Sequence, residues 1–348
     1  MLKTDQLFHF ASEFELETGG ILPGFQLKYT TLGQLNKERN NVIWICHALT
    51  GSSDFTDWWK DLFTEGSPFD PRNYFIICAN TLGGCYGSTG PLSINPTTGS
   101  PFFHSFPELT NRDIVRSFDL LRQHLGISAI HTLLGGSLGG QQVLEWALLQ
   151  PGIIERIIPI ATNAFHSPWG IAFNEAQRMA IAADATWKEN DVRAGVDGMK
   201  AARAIGMISF RTYDTFLQTQ SEKTTDKTDD FRAASYQRYQ GQKLANRFNA
   251  FSYWILTKVM DSHQVGRGRK SAEAALKLIQ AKTWVIGIDS DLLFPVREQE
   301  FLVNHIPNAR LDILTSLHGH DGFLVEFDQF KESVRKFFKT EIKKSTFV

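Results

Sequence analysis

Residues 133–151 read LLGGSLGGQQVLEWALLQP: an apolar run, glycines crowded around one serine, then an apolar pattern with helical spacing. Gly135, Ser137 and Gly139 have the G-x-S-x-G spacing at a strand-to-helix boundary, the setting in which a serine is held on a tight turn as a nucleophile. So sharp a turn strains the serine backbone and needs neighbours without side chains, so that strand and helix can approach. Ser137 Oγ then projects from the sheet at the start of the following helix, where backbone N–H groups favour negative charge. Glycine-rich turns also bind phosphates, but the dinucleotide version requires G-x-G-x-x-G and an acidic residue after the next strand. Neither is present here.

A serine hydroxyl is a weak nucleophile until a base takes its proton and a carboxylate orients that base. In sheet folds with this elbow, the chain order is serine, acid, histidine. VIGIDSDLLFP ends a strand with Asp289 and Asp291, and LTSLHGHDGFL ends the next with His318, His320 and Asp321. Taken singly, either stretch reads as an ordinary turn. With the serine motif upstream they supply an acid and a base in the expected order, and the residues alone leave the choice within each pair open. Acyl transfer also needs donors for a developing oxyanion, which here would be the N–H of Leu138 and one near Leu49 or Thr50 in HALTGS.

These groups need a rigid frame. NNVIWICHALTGS (41–53), NYFIICANTLGG (73–84), AIHTLLGG, IIERIIPIATNA (153–164), AKTWVIGIDSD (281–291) and ARLDILTS (309–316) read as buried strands, and helical patterns alternate with them. That alternation predicts a parallel sheet covered on both faces. In 107–126, Ile114, Val115, Phe118, Leu121 and Leu125 have helical spacing, with Thr110 or Asn111 as N-cap and Gly126 as stop. The rhythm breaks between about 166 and 275, which reads as helices and one exposed polar loop, and predicts a helical insertion. FDQFKESVRKFFKTEIKKS (327–345) reads as a closing amphipathic helix with Phe327, Phe330, Val334 and Phe337 on one face. The expected division is a core of 1–165 and 276–348 with a lid of 166–275.

A net charge of -1, without long runs of like charge, leaves no footprint for nucleic acid or an anionic membrane and favours a small-molecule partner. The start is too polar for a secretory signal, and no apolar run reaches the roughly 20 residues of a membrane span. A cytoplasmic protein is expected. Cys46, Cys78 and Cys85 lack C-x-x-C spacing and read as buried thiols. His47, His104, His124, His131, His166, His263 and His305 lack metal-ligand spacing, so no metal is expected.

CHALTGSSDFTDWW, ANTLGGCYGSTGPLSINP, FPELTNRDIVR, GGSLGGQQVLEWA, DSDLLFP and HGHDGFL occur in this order. Together they resemble the homoserine O-acetyltransferases of the α/β-hydrolase superfamily, over about residues 20 to 340. The resemblance implies an α/β-hydrolase fold with an inserted helical lid and a homodimer formed through that lid. It implies Ser137 as nucleophile, Asp291 as orienting carboxylate and His320 as base. It further implies acetyl-CoA as co-substrate without a bound cofactor, and L-homoserine as acceptor, with Arg203 on its α-carboxylate and Asp321 on its ammonium. Seven residues after that arginine the family usually has tyrosine, where this chain has Phe210. A succinyl donor, serine as acceptor, and a lid-bearing hydrolase that passes the acyl group to water are the rival readings.

Overall fold

The computed structural model describes residues 3–340. Ten strands are present: β1 (Thr4–Phe10), β2 (Phe14–Glu15), β3 (Ile21–Leu22), β4 (Phe25–Leu32), β5 (Val42–Cys46), β6 (Phe75–Ala79), β7 (Ile130–Gly136), β8 (Arg156–Ile160), β9 (Lys282–Ile288) and β10 (Ala309–Leu314). Eight form one sheet in the order β1-β4-β6-β5-β7-β8-β9-β10, and β2 pairs with β3 separately. From β6 to β10 every pairing is parallel, whereas β4 runs antiparallel to both β1 and β6.

The parallel strands are apolar on both faces because both faces are covered. Along β5, Val42, Trp44 and Cys46 join one apolar core, and Ile43 and Ile45 join the other. The first core holds α2 (Asn111–His124) and α3 (Leu138–Leu149), with Trp44, Phe118 and Trp146 in mutual contact. The second is closed by α1 (Phe55–Trp58) and α11 (Phe327–Lys339), where Phe330, Val334 and Phe337 are buried and Phe327 packs at the margin. The expected continuation of this last helix through 341–345 lies outside the described residues. Thr110 is the N-cap of α2, its hydroxyl accepting from Asp113 N–H while the Asp113 carboxylate accepts from Thr110 N–H.

Two differences from the sequence expectation concern sheet edges. Residues 4–32 add β1 and β4, which no long apolar run announces, because β1 is an edge strand whose side chains are mostly outside the core. At the other edge β10 is more exposed than a strand covered on two faces, with Ile313 44% exposed.

Six helices lie between β8 and β9, the first five being α4 (Pro168–Ala182), α5 (Val196–Phe210), α6 (Tyr213–Gln220), α7 (Arg232–Ala245) and α8 (Ala250–Asp261). α9 (Ala272–Leu276) then leads into β9 and contributes Ala272, Ala275 and Leu276 to the first core, and α10 (Val296–His305) follows β9.

The turn from β7 into α3 leaves no room for side chains at its glycines. A Cβ on Gly139 would stand 2.1 Å from the Cys46 carbonyl oxygen, and one on Gly135 would stand 2.6 Å from the Gly139 backbone. On Gly136 it would enter the Phe323 ring at 2.5 Å, and on Gly140 it would meet Thr162 at 2.6 Å. Each glycine thus marks a place where another element crosses the elbow at backbone distance. Ser137 itself has φ 58 and ψ -123, outside the regions that side-chain-bearing residues favour.

Because the Cys46 carbonyl belongs to a central strand and cannot retreat, Gly139→Ala should destabilise the protein by about 3 kcal/mol or more, the upper range for overpacking. Urea unfolding measures this, and a loss below about 1 kcal/mol would show that the elbow can relax.

Candidate active site

Ser137 follows β7, Asp291 follows β9 and His320 follows β10, so three neighbouring regions of one sheet end bring them together. All three side chains belong to buried residues. His320 Nδ1 lies 2.7 Å from Asp291 Oδ2, and since a carboxylate only accepts, Nδ1 carries the proton. Asp291 Oδ1 accepts from Leu293 N–H at 2.8 Å and Phe294 N–H at 2.9 Å, so both its oxygens are satisfied. The imidazole is held on its faces and edges by Phe294, stacked with centroids 5.1 Å apart, and by Phe323 and Phe210. That leaves Nε2 as the remaining ring position for proton transfer.

The two members of each pair have different partners. Asp289 Oδ1 accepts from Ser316 N–H at 3.0 Å, tying the two loops together, and His318 Nδ1 accepts from Arg211 at 3.1 Å. Asp291 and His320 are the pair that meet.

Burial acts most strongly on His320 and pulls its pKa down. The Asp291 charge and hydrogen bond, with a smaller contribution from Asp321, outweigh it and leave the pKa above the ordinary 6.5.

Ser137 and His320 line one cavity of about 80 Å³, together with Ala48, Leu49, Thr50, Arg203, Phe210 and Asp321. Among the described residues no hydrogen bond joins Ser137 Oγ to His320, a gap that unligated nucleophile–base pairs commonly show. Leu49 and Thr50 occupy the centre of a turn closed by Gly51 N–H donating to Ala48 O at 2.8 Å. Beneath it, His47 Nε2 accepts from Thr81 N–H at 2.9 Å and its Nδ1 donates to Ala48 O at 2.8 Å. Burial drops the His47 pKa to about 4, so this ring is a neutral strut. Leu138 is the first residue of α3, buried beside Ser137, and its N–H is one of the helix-start donors without an intrahelical acceptor.

Arg203 lies over the face of Phe210, 5.3 Å from the ring centroid, and among the described residues it has no hydrogen-bonding or ionic partner. Asp321 is placed as expected in the cavity wall, but its carboxylate is already engaged: Arg211 Nε is 2.9 Å from Oδ2, close but not aligned as a hydrogen bond. Sequence reasoning did not single out Arg211, which touches Asp321 and His318 across more than a hundred residues and carries no local signal. It also missed Asn174 and Gln177 of α4, buried polar groups in the cavity wall. His166 and His263 are buried in hydrogen bonds with Gln141, Asn174, Asn111 and the Asn163 carbonyl. Among the described residues no group of three or more His, Cys, Asp or Glu could hold a metal ion, and no helix is long and apolar enough to cross a membrane.

The chain matches the family model of the alpha/beta hydrolase fold over residues 41–327. It is 50% identical over 335 residues to a homoserine O-acetyltransferase of Cyclobacterium marinum, spanning 96% of this chain and 95% of that protein. Among solved structures it resembles homoserine O-acetyltransferase from Bacillus anthracis, with a TM-score of 0.91 at 25% identity, covering 99% of this chain and 100% of that one. Esterase E22 shares the fold at a TM-score of 0.88 and 24% identity, over 97% and 100% of the two chains. The protein is therefore an α/β-hydrolase-fold protein with helices inserted between β8 and β9. Within that class, the chain belongs to the homoserine O-acetyltransferase family.

A base with a raised pKa must be neutral to accept the Ser137 proton. Labelling of Ser137 by a fluorophosphonate should therefore fall as pH drops, with its midpoint above 6.5. Asp291→Asn removes the largest upward influence, so the midpoint should move to lower pH while the plateau rate falls by roughly 10³-fold or more. An unchanged midpoint would dissociate Asp291 from His320.

Proposed function

We propose that this chain transfers the acetyl group of acetyl-CoA to the hydroxyl of L-homoserine, a step of methionine biosynthesis, through an acetyl-Ser137 intermediate. His320 Nε2 takes the Ser137 proton as Oγ attacks the thioester carbonyl. The Leu138 N–H, with one from Leu49 or Thr50, bears the oxyanion. The carbon–sulfur bond breaks, and the proton on His320 goes to the departing CoA thiolate. In the second half the homoserine hydroxyl gives its proton to Nε2, its oxygen attacks the acetyl ester, and the proton returns to Ser137 Oγ.

The observation that carries this reading is the charge distribution of the Ser137 cavity: an arginine with no anionic partner among the described residues and, lining the same cavity, a carboxylate. Such walls suit a zwitterion. Arg203 takes the α-carboxylate, and Asp321 faces the ammonium. A simple esterase needs neither group. Here α4–α8 act as the lid domain of 166–275, excluding water so that acetyl-Ser137 waits for the amino acid. The cell compartment we assign is the cytoplasm, where Cys46, Cys78 and Cys85 stay reduced.

Incubated with acetyl-CoA alone, the protein should gain the mass of one acetyl group at Ser137 and release CoA slowly. Homoserine should accelerate CoA release and yield the O-acetyl ester. CoA release indifferent to homoserine would favour the hydrolase instead. Arg203→Gln should raise the homoserine KM by roughly 10- to 100-fold, the worth of a charge-assisted hydrogen bond.

We also assign a homodimer joined through the lid, supported by Ile208, Tyr213, Leu217 and Tyr239, apolar or aromatic side chains that α5–α7 leave 55–77% exposed. Sedimentation should give twice the 39.3 kDa of one chain. Leu217→Glu should halve that mass, and a wild-type monomer would exclude the assignment.

A further inference from the structure

The two charged walls of the cavity are not equivalent. Arg203 faces the cavity with the Phe210 ring against its guanidinium, a weaker and less directional contact than an ion pair, and with no ionic partner among the described residues. Asp321 faces the same cavity with Arg211 behind it, Nε 2.9 Å from Oδ2. Arg211 lies outside the cavity wall and is held there from two sides. Its Nη1 donates to His318 Nδ1 at 3.1 Å, and the next residue, Thr212, donates from Oγ1 to the Leu317 carbonyl at 2.6 Å. An arriving ammonium therefore joins an existing ion pair.

An acceptor that fills the cavity strips water from whichever wall charge it leaves unmatched, and this penalty underlies strong discrimination between substrates. Omitting the ammonium leaves Asp321 still neutralised by Arg211. Omitting the carboxylate leaves Arg203 desolvated against an aromatic face. Phe210, without a hydroxyl, adds no polar group that would be left unpaired by a missing ammonium.

We infer, on the basis of the acetyltransferase reading above, that the acceptor's carboxylate is required and its ammonium dispensable, so that short hydroxy carboxylates such as 4-hydroxybutanoate are further acetyl acceptors. The reaction needs no additional reagent. The terminal hydroxyl oxygen bonds to the acetyl carbon as the bond from that carbon to Ser137 Oγ breaks. The hydroxyl proton passes through His320 Nε2 to Oγ, releasing 4-acetoxybutanoate.

The test uses the full-length protein, saturating acetyl-CoA and three acceptors: homoserine, 4-hydroxybutanoate, which lacks only the amine, and 3-aminopropan-1-ol, which lacks only the carboxylate. Ester products are quantified by mass spectrometry to give kcat/KM. For 4-hydroxybutanoate we expect a value within roughly 100-fold of homoserine, the loss of one charge-assisted hydrogen bond. The amino alcohol should fall at least about tenfold below 4-hydroxybutanoate. In Arg211→Gln the preference for homoserine over 4-hydroxybutanoate should widen by about tenfold or more, and Arg211→Lys should restore it. An amino alcohol used as well as 4-hydroxybutanoate, or a preference unmoved in folded Arg211→Gln, would overturn the inference. Homoserine ester without 4-hydroxybutanoate ester would overturn it alone. Acetylated Ser137 with no ester from any acceptor would overturn the acetyltransferase reading as well.

Discussion

The approach of α3 to the Cys46 carbonyl is the constraint from which the site follows. With Gly135 and Gly139 at backbone distance from that strand end, the chain between them has one way to turn, and Ser137 accepts a positive φ to make it. Such a conformation costs on the order of 1–3 kcal/mol for a residue with a side chain. Leu133, Leu134, Leu138, Val143, Leu144 and Trp146, all fully buried on the two flanking elements, contribute about 1.5–3 kcal/mol each at the upper bound for area removed from water. Packing exceeds strain several-fold, which explains why the strained geometry persists without a ligand to hold it.

The buried Asp291–His320 pair is a different balance. Removing a carboxylate from water is unfavourable by several kcal/mol unless its lone pairs find donors. Three are supplied: two backbone N–H groups of its own loop and the imidazole. The pair is weak evidence for stability, because an apolar substitute of like volume would pack as well. Its value lies in direction, since the bond to Nδ1 fixes the tautomer and leaves Nε2 turned to the cavity that Ser137 shares.

The inserted helices are joined to all three loops that shape this cavity. Arg247, after α7, donates to the Thr50 carbonyl at 2.7 Å, and Trp169 of α4 donates to Leu292 O at 2.9 Å beside Asp291. The hydroxyls of Thr212 and Thr215 both reach Leu317 O before His320. A cover that only shielded the site would not need contacts to each loop. These contacts connect any movement of the helices to the Leu49–Thr50 turn and to the Asp291 and His320 loops together.

How much of this could be read from residues alone depends on how local its cause is. The elbow was legible because close approach is imposed within five residues and only glycine fits it, and the parallel strands were legible because two-sided burial writes an unbroken apolar run. The paired carboxylate and imidazole were legible as two loops, but the residues could not separate Asp289 from Asp291 or His318 from His320. That choice depends on which side chain finds Ser316, Arg211 or its partner across the sheet end. β1 left little trace because an antiparallel edge has a solvated side, and β4 because Gln26, Lys28, Thr30 and Thr31 interrupt its apolar run. The Arg211–Asp321 contact left none, since a charge pair between distant segments imposes no pattern on either. Hence the features most exposed to misreading are the charges that tune a site already located. Here that difference separates locating Ser137 from weighing the two charges, Arg203 and Asp321, that line its cavity.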